Sequence, residues 1–415
     1  MILPCRIHQA GNGVASLPLA LLLAIFFLAL QPGDTQGQNA TGSSFEQAGV
    51  SWLPAIPIQI TAGADLGYDD NVTLQPSGQG SIFTRENVVL TYTRPGERTQ
   101  FFIEGVGRFS QYFDVSGQNE TAGNVTLSLT HNFSTRLSFY ASVYATYQNE
   151  PNFQSNVGPQ NVRSPFFDTV DIFSLTYYWL SRFSTVTSYT FERVYYTSSS
   201  NGTSTSSSTA NSQNRIQNTF SEQFRFSLTS RTVFVGEYRF ETISYDTAPT
   251  NSTTNFVLAG VDHNLTEHLI VHVRGGESFR SLENDGNMAS PYFEGTLGYV
   301  SSNHSLNWTS SYGFESPTAG GVTTTQTWRT GLNLTYDLTS RLSSTTGVYY
   351  HHDENQGGTG STGTQDSFDL SVGLRYTINK RFALHADYNH TTQSSMGSTP
   401  GYSRNSYSLG MSYTY

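Results

Sequence analysis

Two short runs carry residue types that bind metal ions. His351-His352-Asp353-Glu354 gathers imidazoles and carboxylates, and Asp69-Asp70-Asn71 gathers oxygen donors. Neither spacing favours a metal. Adjacent residues of an extended chain point to opposite faces, so the first run cannot converge its donors. It also borders the Gly-rich stretch 355–364, as a solvated strand end would. The second run suits a turn, because Asp and Asn side chains accept hydrogen bonds from backbone N–H groups two residues on. Its competing use is a divalent ion held between phosphates. Ten histidines and many serines supply chance Ser/His/Asp pairings, but nucleophilic catalysis needs those groups within hydrogen-bond reach, and no spacing here implies that. No Gly-rich phosphate loop lies between a strand and a helix, and sequons such as Asn71, Asn201 and Asn333 follow from composition. The residues therefore predict no enzyme, no metal and no cofactor.

The chain that must position any site has an unusual balance. It has 415 residues, of which 13% are charged and 13% aromatic. The charged share is about half the usual ~25%. Mean hydropathy is −0.36. Alternating apolar and small polar residues give such an average when one face meets lipid and the other meets water. The formal charge of −10 comes without a basic patch, which argues against nucleic acid as a partner. Its acidic excess sits mostly in loop-like segments, where solubility explains it. The one cysteine, Cys5, precedes the N-terminal apolar run, so disulfides and thiol–metal sites are not expected in an exported chain.

Residues 1–37 read as a secretory signal. Arg6 supplies the positive region, 14–30 the apolar run and 31–37 a polar break ending in small residues. The apolar run is at the low edge of the ~17–25 residues that span a bilayer, so cleavage is expected rather than anchoring. The organisation expected is a signal peptide over 1–37, a short periplasmic segment over 38–56, and a transmembrane β-barrel over 57–415.

The barrel reading rests on a repeat. Short turns stand near 94–98, 132–137, 180–183, 228–231, 264–269, 301–304, 338–342 and 378–382, several with Ser, Thr or Asn two residues before Arg. Between them lie pairs of strand-like runs around longer polar loops. Those loops fall near 69–83, 114–119, 150–167, 197–213, 246–252, 282–288, 317–323, 355–364 and 393–403. Membrane barrels combine ~9–11-residue strands, short periplasmic turns and longer external loops. Eight turns with one further strand at each end make an all-β, antiparallel, up-and-down barrel of about eighteen strands, with sixteen as the alternative. The Ser/Thr-rich run 197–208 is expected to be a mobile surface loop, since it cannot bury enough apolar area to order itself.

Alternation assigns the faces. Phe368, Leu370, Val372, Leu374 and Tyr376 share one side, and Ser367, Asp369, Ser371, Gly373 and Arg375 the other. Segments 137–148, 304–316 and 328–337 alternate as clearly; 168–179 and 253–263 alternate poorly. With apolar faces toward lipid, the expected pore lining holds Glu104, Arg108, Arg225, Glu237, Arg239, His272, Arg274, Arg329, Asp369, Arg375 and Asp387. Arg215, Glu241, Arg280 and His385 join the same side. Opposed charges on a pore wall create a transverse field that favours polar solutes; they equally pair with one another and hydrate the wall. Arg193 and Glu222 fall on the lipid side and are expected near the external rim, where such charges are tolerated.

The last strand ends Ser408-Leu409-Gly410-Met411-Ser412-Tyr413-Thr414-Tyr415. It resembles the terminal signal of outer-membrane barrels in Ser408, Gly410, Tyr413 and Tyr415, with Tyr in place of the usual Phe. That resemblance implies recognition by the barrel assembly machinery and residence in the outer membrane, among lipid and lipopolysaccharide. The run Gly67-Tyr68-Asp69-Asp70-Asn71-Val72, after an alternating stretch from Ile58, resembles the opening strand and first loop of the family Putative beta-barrel porin 2. Relatives in that family include barrels encoded near exopolysaccharide export genes. Three functions stay open. One is a porin-like channel for small polar solutes, with 150–167 as the candidate constriction. A second is a barrel for exopolysaccharide export, with Tyr140, Tyr144 and Tyr349 stacking on sugar. The third is a non-transporting scaffold or receptor that works through its loops.

Overall fold

The computed structural model describes residues 58–149, 165–197, 213–247, 251–283, 286–317, 322–357, 363–396 and 400–415. The expected signal peptide, the segment 38–56, most of loop 150–167 and most of loop 197–213 with its Ser/Thr-rich run 197–208 lie outside the described residues. Eighteen antiparallel strands form one sheet. In chain order they are β1 Ile58–Asp69, β2 Ser81–Arg94, β3 Thr99–Tyr112, β4 Glu120–Asn132, β5 Leu137–Gln148 and β6 Phe166–Leu180. Next come β7 Phe183–Tyr196, β8 Arg215–Ser227, β9 Thr232–Tyr245, β10 Ser252–Asn264, β11 Leu269–Leu282 and β12 Gly286–Val300. The last six are β13 His304–Glu315, β14 Thr324–Asp337, β15 Leu342–Gln356, β16 Gly363–Thr377, β17 Phe382–Gln393 and β18 Tyr402–Thr414.

Each strand pairs with its sequence neighbours, and β1 pairs with β18 from Thr61↔Thr414 to Asp69↔Ser406, so the sheet closes without an edge. Closure satisfies every ladder within the barrel, which a bilayer interior demands. Strands of this length rise ~40–50 Å, and a ~45° tilt reduces that to ~28–35 Å, close to the ~30 Å hydrocarbon thickness.

The eight short turns fall where the repeat placed them, and the structure shows why their residues recur. In five of them the residue two before the Arg or His is a Ser, Thr or Asn whose side chain accepts backbone N–H groups. Ser134 Oγ accepts from Arg136 and Leu137 at 3.2 and 3.1 Å. Thr266 Oγ1 accepts from His268 and Leu269 at 3.2 and 3.0 Å, and Thr339 Oγ1 from Arg341 and Leu342 at 3.2 and 3.0 Å. Asn379 Oδ1 accepts from Arg381 and Phe382 at 2.9 and 3.0 Å, and Thr229 Oγ1 from Arg231 at 3.2 Å. These contacts replace ladder partners that a tight turn cannot supply.

Alternation then sorts the two faces. Phe220, Phe224, Phe234, Tyr238, Phe240, Leu384, Leu409 and Met411 point outward and are exposed. No helix covers them among the described residues, and a contiguous apolar surface of this extent belongs against lipid. The buried apolar residues gather elsewhere, on the inner face toward the long-loop end. One group is Val72, Phe83, Tyr112 and Val115; another is Phe166, Val194 and Tyr196. Segment 253–263 alternates poorly because β10 is apolar on both faces: Phe256 and Leu258 point inward and are buried, while Val257 points out.

Candidate functional site

The inner wall of β8 to β14 carries a dense set of ionic contacts. At its centre Asp262, on β10, faces two guanidiniums and an imidazole from two strands. Arg225 Nη2 on β8 lies 2.5 Å away, Arg274 Nη1 on β11 2.7 Å, and His272 Nδ1 on β11 2.9 Å. Asp262 and His272 are direct cross-strand partners, whereas Arg274 sits opposite Gly260. The glycine matters, because a Cβ there would lie 2.0 Å from the Val273 carbonyl oxygen and 2.6 Å from Arg274 Cδ, in the path that the arginine takes across β10 toward Asp262.

A second group centres on Arg239 of β9. Its guanidinium lies 5.5 Å from the ring centroids of Phe256 and Tyr292. It donates to Glu237 at 2.9 Å, to Tyr292 Oη at 3.0 Å and to Glu294 at 3.3 Å, while Tyr292 Oη donates to Glu294 at 2.6 Å. Aromatic faces replace some of the lost hydration, and the carboxylates balance the charge. A third cation, Arg280 of β11, ties five strands together. It donates to Glu241, Thr254, Thr324 and the Glu315 carbonyl at 3.3, 3.0, 2.9 and 2.9 Å, over the Phe314 ring. Arg329 of β14 pairs with Glu315 of β13. Between these groups opens a cavity of about 340 Å³, lined by Gln223, His272, Arg274, Glu294, Thr296 and Arg329 among others.

All eleven residues expected to line a pore lie on this inner side. Arg225, Glu237, Arg239, His272, Arg274 and Arg329 converge in the networks just described. Asp369, Arg375 and Asp387 lie on the inner face of β16 and β17, where Asp369 accepts from Thr391 at 2.7 Å. Glu104 and Arg108 stand on β3 opposite Thr91 and Asn87 of β2, apart from the main networks. Residues missed by the alternation include Asp262, Glu294 and Tyr292. Tyr292 sits beside Pro291, and Glu315 fell on the polar face of 304–316 without being counted in the pore lining. Asp262 closes the poorly alternating β10, so no period marked it.

The expected sugar platforms Tyr140, Tyr144 and Tyr349 also point inward. Tyr140 is 41% exposed to the lumen, and Tyr349 Oη donates to Asn333 at 2.6 Å. Around Tyr140 and Tyr144 the inner faces of β4 and β5 carry Thr126, Ser128, Thr130, Ser138 and Ser142, with Glu104 of β3 opposite Thr126. The long-loop end is tighter. Asn355 Nδ2 donates to Met396 Sδ of the β17–β18 connection at 2.8 Å, and Thr325 donates to Asn355 at 2.7 Å.

Two expectations need correction. His351 and Asp353 are not a solvated strand end: they point inward and are 2% and 1% exposed, while His352 sits on the outer face bonded to Asp366 at 2.8 Å. No metal-binding cluster stands there among the described residues. Glu222 is not at the external rim. It lies in the interior of β8, seven positions from Arg215, pointing out to lipid with Thr187 Oγ1 donating to it at 2.6 Å. The periodicity located its face but not its depth. Arg193 does sit near the external end of β7, gripped in a fork by Asp246 at 2.9 and 2.6 Å. That Arg193 guanidinium holds the Asp246 carboxyl, in the loop beyond β9, below the usual carboxylate range. Asp69-Asp70-Asn71 forms the Asx turn, with Asn71 N donating to Asp69 Oδ1 at 3.0 Å. Arg404 donates to Asp69 Oδ2 at 2.6 and 2.9 Å.

The sequence profile of Putative beta-barrel porin 2 matches residues 58–415, the whole of the closed sheet. The chain belongs to the Putative beta-barrel porin 2 family. It is a porin-like outer-membrane barrel. Among solved structures it is similar to the outer membrane protein opdK from Pseudomonas aeruginosa, at 11% identity and a TM-score of 0.41, over 86% of this chain and 99% of that one. The siderophore receptor PirA from Acinetobacter baumannii matches at 6% identity and a TM-score of 0.41, over 86% and 80%. A bacterial polysaccharide outer membrane secretin matches at 10% identity and a TM-score of 0.34, over 86% and 98%. No curated protein matches the chain.

Proposed function

We infer that this barrel conducts small polar solutes through its lumen. The observation that carries the reading is the inner wall of β8 to β14, where Arg225, Arg239, Arg274 and Arg329 are each set against carboxylates around a cavity of about 340 Å³. Paired charges of this kind order water across the wall and stay solvated without a bound counter-ion, which suits a polar permeant better than a bare hydrocarbon passage. An eighteen-stranded barrel is wide enough to hold an aqueous lumen. Tyr140 and His272 are exposed on the inner face, whereas Phe83, Tyr112, Phe166 and Tyr196 are buried on it near the external loops, where they would narrow the passage. The narrow end selects by size, and the charged wall selects by polarity. Liposome swelling with polar solutes of increasing size tests this. Swelling with the smallest solutes and a sharp cut-off supports it, whereas no swelling by a folded barrel removes it.

A second reading has its own observation. The wall around Tyr140 and Tyr144 presents phenol rings among hydroxyls from β4 and β5, a surface suited to stacking on a neutral glycan. Soluble neutral oligosaccharides that block ionic current, with the block lost in Tyr140→Ala, favour this reading. Current indifferent to oligosaccharide excludes it.

A further inference from the structure

The two rims of the barrel differ in charge. The short connections hold Arg98, Arg136, Arg182, Arg231, Arg341, Lys380 and Arg381 against Glu97 and Glu267. The described parts of the long connections hold Asp70, Asp114, Asp246 and Glu283 and no Lys or Arg. The chain as a whole is acidic, with 31 Asp+Glu against 21 Lys+Arg, so the cationic rim runs against the average.

The turn geometry fixes where these cations point. The hydroxyl or amide of the turn's Ser, Thr or Asn binds the backbone N–H of the arginine, as Ser134 does for Arg136, Thr229 for Arg231, Thr339 for Arg341 and Asn379 for Arg381. The backbone is thereby held and the guanidinium is left out of the turn. All four arginines, and Arg182, are exposed. The arginines of the inner wall behave differently: Arg225, Arg239, Arg274, Arg280 and Arg329 each meet a carboxylate. Beside the turn arginines stand exposed apolar residues, Phe133, Leu228, Leu338 and Ile378, at 42–56% exposure. An apolar residue at the hydrocarbon boundary next to a projecting guanidinium matches the order of chemical groups in a phospholipid, acyl chain first and phosphate above it.

We propose that the short-turn rim is a phosphate-binding collar for anionic phospholipid in the leaflet around it. Guanidinium binds phosphate oxygens in a fork, and a Lys or Arg near an anionic surface strengthens attachment by roughly fivefold. The collar is repeated around the rim, so it orders several boundary lipids rather than one. The external rim, with acidic connections, lacks this preference, and the barrel carries its own orientation signal.

Electron spin resonance of spin-labelled lipids tests this on the refolded full-length mature barrel in phosphatidylcholine vesicles. The expected result is motional restriction of labelled phosphatidylglycerol over labelled phosphatidylcholine by at least about threefold, weakened by 0.5 M salt as exposed charges require. A variant with Arg136, Arg231, Arg341 and Arg381 changed to Gln loses the preference, and the corresponding Lys variant keeps most of it. These positions are held through backbone N–H groups, so heat-modifiable migration should show both variants folded. An equal restriction of the two lipids by the native barrel overturns the proposal. So does a preference unchanged in the Gln variant. Tight binding of a soluble polyanion such as heparin without lipid preference assigns the rim to a soluble acidic partner and also overturns it.

Discussion

Asp65 and His385 belong to β1 and β17, strands that do not touch, yet their side chains bond to each other across β18. They meet over Gly410, which faces both of them in the ladder, as Asp65↔Gly410 and His385↔Gly410. A Cβ at that position would collide with the carboxylate and the imidazole. Gly410 belongs to the C-terminal run that resembles an assembly signal, and it also makes room for the contact that ties β1 to β17 across the closing strand. Gly410→Ala should therefore destabilise the folded barrel by about 1–3 kcal/mol, the usual cost of overpacking. The urea midpoint in vesicles measures it. In an Asp65→Ala/His385→Ala background the same substitution should cost less, because the double mutant removes the two nearest atoms it strikes and leaves only the Ala64 carbonyl. An equal cost in both backgrounds would place the role of Gly410 elsewhere.

The turn hydroxyls should be individually measurable. Thr339 Oγ1 accepts two backbone N–H groups, from Arg341 and Leu342. Thr339→Ala should cost about 0.5–1.5 kcal/mol, and Thr339→Ser almost nothing. Equilibrium unfolding in vesicles separates the two variants; an alanine variant as stable as the parent would remove the explanation offered for the repeat.

Glu222 is an acid on the lipid-facing side of β8, with Thr187 as its hydrogen-bond donor. Acidic groups on this face are disfavoured at mid-membrane, less so than Arg or Lys. Glu222→Leu should raise the unfolding midpoint in a bilayer, by about 1–2 kcal/mol. The gain should vanish in detergent, where water reaches the site. A loss of stability in both media would mean that the carboxylate serves a contact other than Thr187.

At the external end, Asp246 should titrate below its ordinary value of 3.8 because Arg193 grips the charged form. A depressed carboxylate contributes stability above its unfolded pKa and loses it as pH falls through the folded one, so the pair should hold at pH 4 and open only in stronger acid. Carboxyl-carbon NMR follows the titration directly. Arg193→Gln should return the midpoint toward 3.8, and a midpoint already at 3.8 in the parent would mean that the fork is open in solution.

Strand number, all eight short turns and the inward placement of Arg225, Glu237 and Arg239 were legible because a barrel wall is a single layer. Each residue faces either lipid or lumen, and a period of two records which. That simplicity fails where a strand is apolar on both faces. Phe256 and Leu258 point inward beside the Arg239 group, so β10 lost its alternation and hid Asp262, the carboxylate on which two guanidiniums and an imidazole converge. Depth was illegible as well. The period gives a face but no height, which is why Glu222 read as a rim residue. Burial near the external end arises from connections folding over strand ends, as Met396 does beside Asn355, and residues so far apart in sequence leave no local pattern. His351 and Asp353 therefore read as solvated when they are enclosed.

Single-channel recording of the refolded mature barrel in a planar bilayer, comparing the parent with Asp262→Asn, tests conduction through the charged wall. Both should give steady ohmic steps. The variant's reversal potential should shift toward anion selectivity, since Arg225, Arg274 and His272 would face the lumen without their shared carboxylate. Silence from a barrel that heat-modifiable migration shows to be folded, or steps whose selectivity ignores Asp262, would contradict conduction through that wall.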